Sequence, residues 1–227
     1  MKKMMMVAMT LIVASSVCFA EQSEQKEIRK QRQEISKLAK KELTERVAKT
    51  TKKAAKQLKK EGWIVSPGAL PLEKQLERCY EMQYEFDSDL YPKYIMAEAK
   101  SIGGNYDAAK TAATSLAITN LAGQIQTEVS ALIENTVGNA QLSANDAESI
   151  TKTVMASKNM ISQSIGRVLP VTECYRVLPN KNTEVLIRIA YNGDMAKQIV
   201  KKVVREELEK KGEELHAQLD KVLGFDK

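Results

Sequence analysis

His216 is the only histidine of this 227-residue chain, and it is the first side chain to consider for acid–base chemistry. Histidine titrates near neutral pH, so a hydrolase could use it as the general base beside a nucleophile. Its sequence neighbours Glu213, Glu214 and Gln218 supply no nucleophile. The pattern therefore favours a histidine that faces solvent, and no catalytic residue is predicted.

A second candidate is Gly103-Gly104-Asn105, which stands directly before a predicted helix. Free amides at a helix start, together with the helix dipole, favour a phosphate or a carboxylate. The segment lacks the spaced glycines and the lysine of a phosphate-binding loop, so a turn with a helix cap is the favoured interpretation. Asn120, a polar residue among small ones in that helix, is interpreted as a hydrogen-bonded interior amide rather than a ligand. No cofactor is predicted.

Residues 1–20 have the pattern of an export signal. Two lysines are followed by an apolar run over residues 7–13, and Cys18-Phe19-Ala20 ends in a residue that suits signal peptidase. The apolar run is shorter than a bilayer span, which argues against a retained transmembrane helix. We expect cleavage after Ala20, and location in the periplasm or at the outer-membrane periphery of a Gram-negative bacterium.

Cys18 allows a second interpretation, in which it becomes the lipidated first residue of a bacterial lipoprotein. The position before a lipidated cysteine normally holds a small side chain, and Val17 is not small. Possible lipidation at Cys18 is therefore the less favoured alternative.

Removal of the signal leaves Cys79 and Cys174, an even number in an oxidising compartment. They form a possible disulfide, to which the chain-entropy model assigns about 4 to 5 kcal/mol. Two buried free thiols are an equally simple account. Two cysteines and one remote histidine lack the short spacings of a zinc site, so no metal is predicted.

Positive charge is concentrated near the N-terminus. Residues 21–61 contain fourteen Lys or Arg and seven Glu, a net charge of +7, whereas the whole chain carries +6. Since the two lysines of the signal add +2, residues 62–227 carry −3. The basic character belongs to this N-terminal arm rather than to the domain, and no nucleic-acid partner is predicted.

The arm, residues 21–61, is predicted as one long charged helix, because its helical part has no Pro or Gly and is rich in helix-forming residues. Its apolar residues form a narrow stripe that can bury against one neighbour at most. They are Ile28, Ile35, Leu38, Leu43, Val47, Ala54 and Leu58. Three interpretations stay open: a solvated helix that lies along its own domain, a coiled-coil or partner-docking helix, and a basic surface for anionic lipid or polymer.

Residues 62–92 are predicted to connect the arm to the domain through a short strand and a helix. Gly62 suits a helix end, Trp63-Ile64-Val65 a strand, Pro67-Gly68 a turn, and Pro71 the first turn of the next helix. Aromatic residues are concentrated near the end of this segment, and their spacing favours core packing over a ligand platform. They are Tyr80, Tyr84, Phe86, Tyr91 and Tyr94.

Residues 93–227 are predicted to form an α+β domain. The predicted elements are a strand over 93–101, an Ala-rich helix over 106–136, a helix from the Ser143 capping box to Gly166, a hairpin of strands over 167–177 and 183–191, and an amphipathic helix over 195–223. Small residues on the first strand and helix predict a close contact. Pro170 lacks an amide donor, which predicts an edge strand or a bulge there. The predicted fold is a small antiparallel or mixed sheet packed against an Ala-rich helix pair. The long basic helix is at the N-terminus of the chain, and the amphipathic helix is at the C-terminus.

Three segments carry a resemblance to a known family: the strand and turn over 97–104, the Ala-rich helix over 109–125, and the strand Val185-Leu186-Ile187-Arg188-Ile189. Together, over residues 94–191, they resemble the small envelope proteins typified by the twenty-kilodalton outer-membrane lipoprotein of gastric bacteria. The N-terminal domain of flagellar assembly protein T is similar. The resemblance implies an α+β domain with helices on one face of a small sheet, in an envelope protein without known catalysis. The lipidation signal and the long basic arm depart from the family pattern.

Three functional hypotheses follow from these observations. The leading one is an exported, non-catalytic protein that binds or scaffolds another envelope component, or itself, through the helical arm and the domain surface. The second is an anionic-surface binder that acts through the charges of the arm. The third and least favoured is a periplasmic hydrolase, since the sequence contains no recognisable set of nucleophile, base or metal ligands.

Overall fold

The structure is a computed structural model that describes residues 48–66, 68–87, 92–138, 142–210 and 215–225. It has the predicted α+β fold. The helices are α1 (residues 48–60), α2 (Leu72–Gln83), α3 (Tyr106–Gly138), α4 (Ala144–Ala156), α5 (Lys158–Ser164), α6 (Gly193–Lys210) and α7 (His216–Leu223). The strands are β1 (Tyr94–Gly103), β2 (Leu169–Val177) and β3 (Thr183–Asn192). The predicted signal, Cys18, Ala20 and the arm before residue 48 lie outside the described residues.

Close packing of α3 on β1 confirms the small-residue pattern. Residues at every fourth position of α3 are buried: Ala109, Ala113, Ala117, Leu121, Ile125, Val129 and Ile133. They meet Ala97 and Ala99 of β1 and the inward residues of β3 in the main core. The turn between strand and helix depends on Gly103, because a Cβ there would lie 2.6 Å from the amide nitrogen of Ala109.

The sheet is antiparallel with the order β1-β3-β2, so β3 is central. The predicted hairpin joins β2 to β3, with Val185, Ile187 and Ile189 facing the α3 core. Both expectations for Pro170 hold, since β2 is an edge strand and its register shifts between Pro170 and Thr172. Because the pairing of β2 with β3 is already irregular at this position, the missing amide of Pro170 removes no regular hydrogen bond of the sheet.

The opposite face of the sheet is also covered by helices, which differs from the one-sided arrangement that the family resemblance implies. Trp63 and Ala55 pack there with Leu186 of β3 and with Leu76 of α2. Residues 48–61 of the arm thus belong to the same compact unit as the sheet. That unit begins at Val47. The boundary predicted after residue 61 moves to about residue 47, because Ala54 and Leu58, the two described members of the apolar stripe, pack on the domain.

A set of contacts around Trp63 fixes α1 to the sheet. The Trp63 ring is 2% exposed and lies 4.7 Å from the guanidinium carbon of Arg176. Arg176 also donates to the Glu61 carbonyl oxygen at the end of the helix (3.2 Å). As predicted, Gly62 ends the helix, with a positive φ of 85°. Ile64 then pairs with Tyr175 at the outer edge of β2.

Two predicted single helices are each two helices in the structure. The helix predicted from Ser143 to Gly166 starts at the expected cap but breaks at Ser157, whose buried hydroxyl donates to the Thr153 carbonyl. The helix predicted over 195–223 is divided into α6 and α7. Asp220 of α7 lies 3.0 Å from the ammonium group of Lys201 of α6. In a continuous helix these residues, nineteen positions apart, would be separated by about 28 Å. The amphipathic pattern continues because both pieces cover the same core.

The interpretation of the aromatic cluster as core is wrong for Tyr84 and Phe86, which are 45% and 44% exposed. Helix α2 ends at Gln83, so the residues after it do not follow helical spacing. Tyr94 is partly buried beside Cys79, and Tyr91 lies outside the described residues. In the described segments, no helix has the length and apolarity to cross a bilayer.

The contact at Gly103 gives a paired prediction. Gly103→Ala should lower the free energy of unfolding by about 1–3 kcal/mol, because the new methyl group overlaps the backbone of α3. Gly104→Ala is the matched control, since a Cβ there meets no atom within 4 Å, and it should change stability by less than about 0.5 kcal/mol. Urea unfolding followed by circular dichroism measures both. Equal effects would contradict the steric explanation.

Candidate functional site

A polar cluster lies at the outer edge of β2, where Ser66, Tyr106, Lys110 and Glu173 come together. One carboxylate oxygen of Glu173, Oε1, accepts hydrogen bonds from Lys110 Nζ (2.8 Å), from the Tyr106 hydroxyl and from Ser66 Oγ (3.4 Å). The hydroxyl oxygens of Ser66 and Tyr106 are 2.6 Å apart. We call these four residues the Glu173 cluster.

Three different elements position the Glu173 cluster. Tyr106 and Lys110 are four residues apart on the first turns of α3, so their side chains share one face. Glu173 lies next to the bulge of β2, and its amide donates to Oε1 of Gln75 on α2 (2.7 Å). The cluster borders a cavity of about 340 Å³, which also includes Thr172, whose buried hydroxyl has no hydrogen-bond partner among the described residues.

The electrostatics of the Glu173 cluster favour a fixed ion pair. Burial alone would raise the pKa of Glu173, but the hydrogen bonds from Lys110 and Tyr106 outweigh it and hold the pKa below its ordinary value. The hydrogen bond between Lys110 and Glu173 also raises the pKa of Lys110. Burial, together with the hydrogen bond to Glu173, raises the pKa of Tyr106. Near neutral pH the cluster therefore holds a carboxylate, an ammonium group and a neutral phenol.

This arrangement places a serine beside a tyrosine, a lysine and a carboxylate, but it does not activate the serine. A general base needs a pKa near the working pH. The pKa of Glu173 is too low, Lys110 is protonated, and Tyr106 keeps its proton. The geometry supports a structural tie between the start of α3 and the edge of β2.

The Glu173 cluster has almost no signal in the sequence, and it is absent from the predicted sites. The only local signal is Tyr106 and Lys110 at helical spacing, and lysine beside tyrosine is common on solvated faces. Ser66 and Glu173 are separated by 107 positions in the chain, and only the packing of the edge strand brings them together.

The predicted site residues do not converge on this cluster. His216 is only partly exposed, not fully solvent-facing as predicted: its Nε2 lies 3.5 Å from Glu209 Oε1, and Nδ1 is buried without a hydrogen-bond partner in the described part of the chain. The reason is that α7 folds back against α6. Asn105 Oδ1 accepts from the Ala108 amide (2.9 Å), as in the turn-and-cap interpretation. Asn120 is exposed rather than interior, and it donates to the Glu98 carbonyl of β1 (3.0 Å).

Cys79 and Cys174 are both buried free thiols in the structure. Each sits in its own apolar cluster, Cys174 beside Trp63 and Cys79 beside Val171. Arg188 Nη1 donates to the Cys79 sulfur (3.0 Å). Burial raises the pKa of Cys174 to about 12, so it is not a reactive thiolate. Over the described ranges, no three His, Cys, Asp or Glu side chains gather as metal ligands.

The second feature that could act on a partner is the outer surface of α1. Thr51 and Ala55 are buried against the domain. Four lysines follow the opposite side at intervals of four, three and four residues, and all are exposed: Lys49, Lys53, Lys56 and Lys60. We call this set the lysine stripe. Lys52 and Lys59 flank it and are also exposed.

Helix α1 holds most of the net charge of the arm. Residues 48–60 contain six lysines and no acidic residue, whereas residues 21–47 contain eight Lys or Arg and six Glu. The positive character of residues 21–61 is thus concentrated on the helix that is packed against the domain. The sequence average over the whole arm does not reveal this.

A third feature is a cavity of about 230 Å³ between the start of β1, the middle of α3 and the first turn of α6. Its lining is mainly apolar and includes Ile95, Ile125, Val129 and Leu132. Glu128, Asp194, Lys93 and Lys197 also border it. Because the charges have both signs, the lining does not define a ligand class.

Comparison of the chain with protein-family models, with curated proteins and with solved structures gives no match.

The Glu173 cluster makes a pH-dependent prediction. Glu173→Gln should lower the free energy of unfolding at pH 7 by about 1–2 kcal/mol, because it removes a largely buried carboxylate that accepts three hydrogen bonds. The folded pKa is depressed, so this stabilisation is complete above the unfolded pKa of about 4.3 and is lost as the pH falls through the folded pKa. Urea unfolding of both proteins from pH 7 down to acid measures the difference.

Glu148→Gln is the control for this prediction, since Glu148 also pairs with a lysine, Lys152, but is fully exposed. It should leave stability unchanged because solvent screens that pair. A deficit of Glu173→Gln that stays constant down to the lowest pH would point to packing and not to charge.

Proposed function

We propose that this protein is an exported, non-catalytic component of the cell envelope that binds another envelope component through its helical arm and the adjoining domain surface. The observation that carries the proposal is the packing of α1: one side is buried on the sheet, and the other presents the lysine stripe to solvent. A helix fixed in this way holds its charges in a constant position, which lowers the entropy lost on binding.

The chemistry of the Glu173 cluster supports the non-catalytic part of the proposal. In this cluster a serine hydroxyl lies beside titratable side chains from other elements, and the pKa shifts of those side chains leave Ser66 without a base near neutral pH. The resemblance of residues 94–191 to small envelope proteins without known catalysis is consistent with this.

The export part rests on the sequence of residues 1–20, which has the charged start, the short apolar run and the small final residue of a cleaved signal. A mature chain that begins at Glu21 would work in the periplasm or at the outer-membrane periphery. Self-association through the arm is included, since the narrow stripe of Ile28, Ile35 and Leu38 suits one helical neighbour.

Capture from solubilised envelope material tests the binding role. The mature chain should retain an envelope component. The variant Ile28→Ser/Ile35→Ser/Leu38→Ser should lose it, because the substitutions remove the apolar residues of the arm before α1, which we propose dock the partner. Mass spectrometry of bait and captured material provides the measurement. The control Leu70→Ser changes an apolar residue of the domain that is already 53% exposed, and it should capture normally.

Equal capture by the arm variant and the control would remove the arm from the proposal. Deletion experiments should end at residue 47 and not at residue 61, because Ala55 and Trp63 belong to the core of the domain.

The mature N-terminus gives an independent prediction. Protein purified from its host should have the mass of a chain that starts at Glu21, because signal peptidase cleaves after small residues such as Ala20. Intact mass spectrometry distinguishes this result from a chain that starts at a lipidated Cys18. Unprocessed protein in the cytosol would overturn the export proposal.

A further inference from the structure

Helix α1 has a surface composition that differs from the rest of the described molecule. Its six cations are all lysines and all exposed, and residues 48–60 contain no acidic and no aromatic residue. The lysine stripe runs over twelve residues, and the eleven helical steps from Lys49 to Lys60 correspond to about 16 Å along the helix axis. Residues 62–227 carry a net charge of −3, so α1 is a region of excess positive charge on a domain that is otherwise slightly acidic.

We propose that the lysine stripe binds the headgroups of an anionic lipid bilayer. This inference rests on the proposed function and names the chemical class of the component that α1 meets. A bilayer surface that contains acidic phospholipids attracts each nearby lysine by about 1 kcal/mol, equivalent to about fivefold in binding. Several lysines in one row can act on such a surface at the same time, because its charges are numerous and mobile.

The residue types favour lipid over other polyanions and over a specific protein. Protein interfaces are depleted in lysine and depend on Trp, Tyr and Arg anchors. Single-stranded nucleic acid is held by aromatic residues on which bases stack. Specific phosphate sites favour arginine, whose planar group makes paired hydrogen bonds. The exposed side of α1 has none of these, and the nearest aromatic residue, Trp63, is buried.

The way in which α1 is anchored supports binding at the bilayer surface without insertion. The apolar residues Ala54, Ala55 and Leu58 pack against Trp63 and the sheet, so they are not available to enter the bilayer. The remaining attraction is electrostatic and is screened by salt. Binding would orient α1 toward the lipid and leave α3, on the other face of the sheet, directed away from it.

Vesicle sedimentation tests the inference with the mature chain, residues 21–227. The stripe variant is Lys49→Gln/Lys53→Gln/Lys56→Gln/Lys60→Gln. The matched control is Lys74→Gln/Lys152→Gln/Lys202→Gln/Lys210→Gln, which removes the same charge from exposed positions of α2, α4 and α6. Vesicles of equal parts phosphatidylglycerol and phosphatidylcholine are compared with vesicles of phosphatidylcholine alone. Circular dichroism and urea midpoints should show that both variants fold, since every substituted lysine is exposed.

The wild-type chain and the control should bind the anionic vesicles and not the neutral ones, and the stripe variant should bind at least about a hundredfold more weakly. At about 1 M salt, where the screening length falls to about 3 Å, wild-type binding should be lost. Equal binding by the stripe variant and the control, or binding that persists in high salt, would overturn the inference. If no protein binds the vesicles, while capture of an envelope component still depends on Ile28, Ile35 and Leu38, the lipid inference is overturned and the proposed function stands.

Discussion

The close contact between β1 and α3 is the constraint on which the rest of the structure depends. Alanines at every fourth position of α3 bring the helix against Ala97 and Ala99, and the turn between them leaves no space for a side chain at Gly103. This contact sets the start of α3 relative to the sheet. It therefore fixes where Tyr106 and Lys110 stand, and it lets Asn120 reach the Glu98 carbonyl of β1.

The opposite face of the sheet depends on Trp63. Its buried ring lies beside Arg176, and Arg176 also holds the end of α1 through the Glu61 carbonyl. Packing on this face determines which side of α1 is buried and which side is exposed to solvent. The lysine stripe is consequently a property of the folded domain, and we infer that the basic charge of the arm acts from this fixed position.

Much of the fold could be predicted because its signals are local. Period-four alanines, the Ser143 cap and the alternation of β3 each report on neighbours within a few positions. The division of the last helix could not be predicted, because the amphipathic pattern continues through α6 and α7, and the fold-back is stabilised by the pairing of Asp220 with Lys201. The Glu173 cluster was missed for a related reason, since residues far apart in the chain supply it.

The sequence by itself determined the α+β class, the turn at Gly103, the edge position of Pro170 and the excess of positive charge in residues 21–61. Each follows from residue type and short-range spacing. Only the tertiary structure decided that residues 48–61 belong to the domain, that both faces of the sheet are covered, and that the Glu173 carboxylate meets Lys110. These features arise from contacts between distant segments, whose free energy depends on burial and geometry that a linear pattern does not contain.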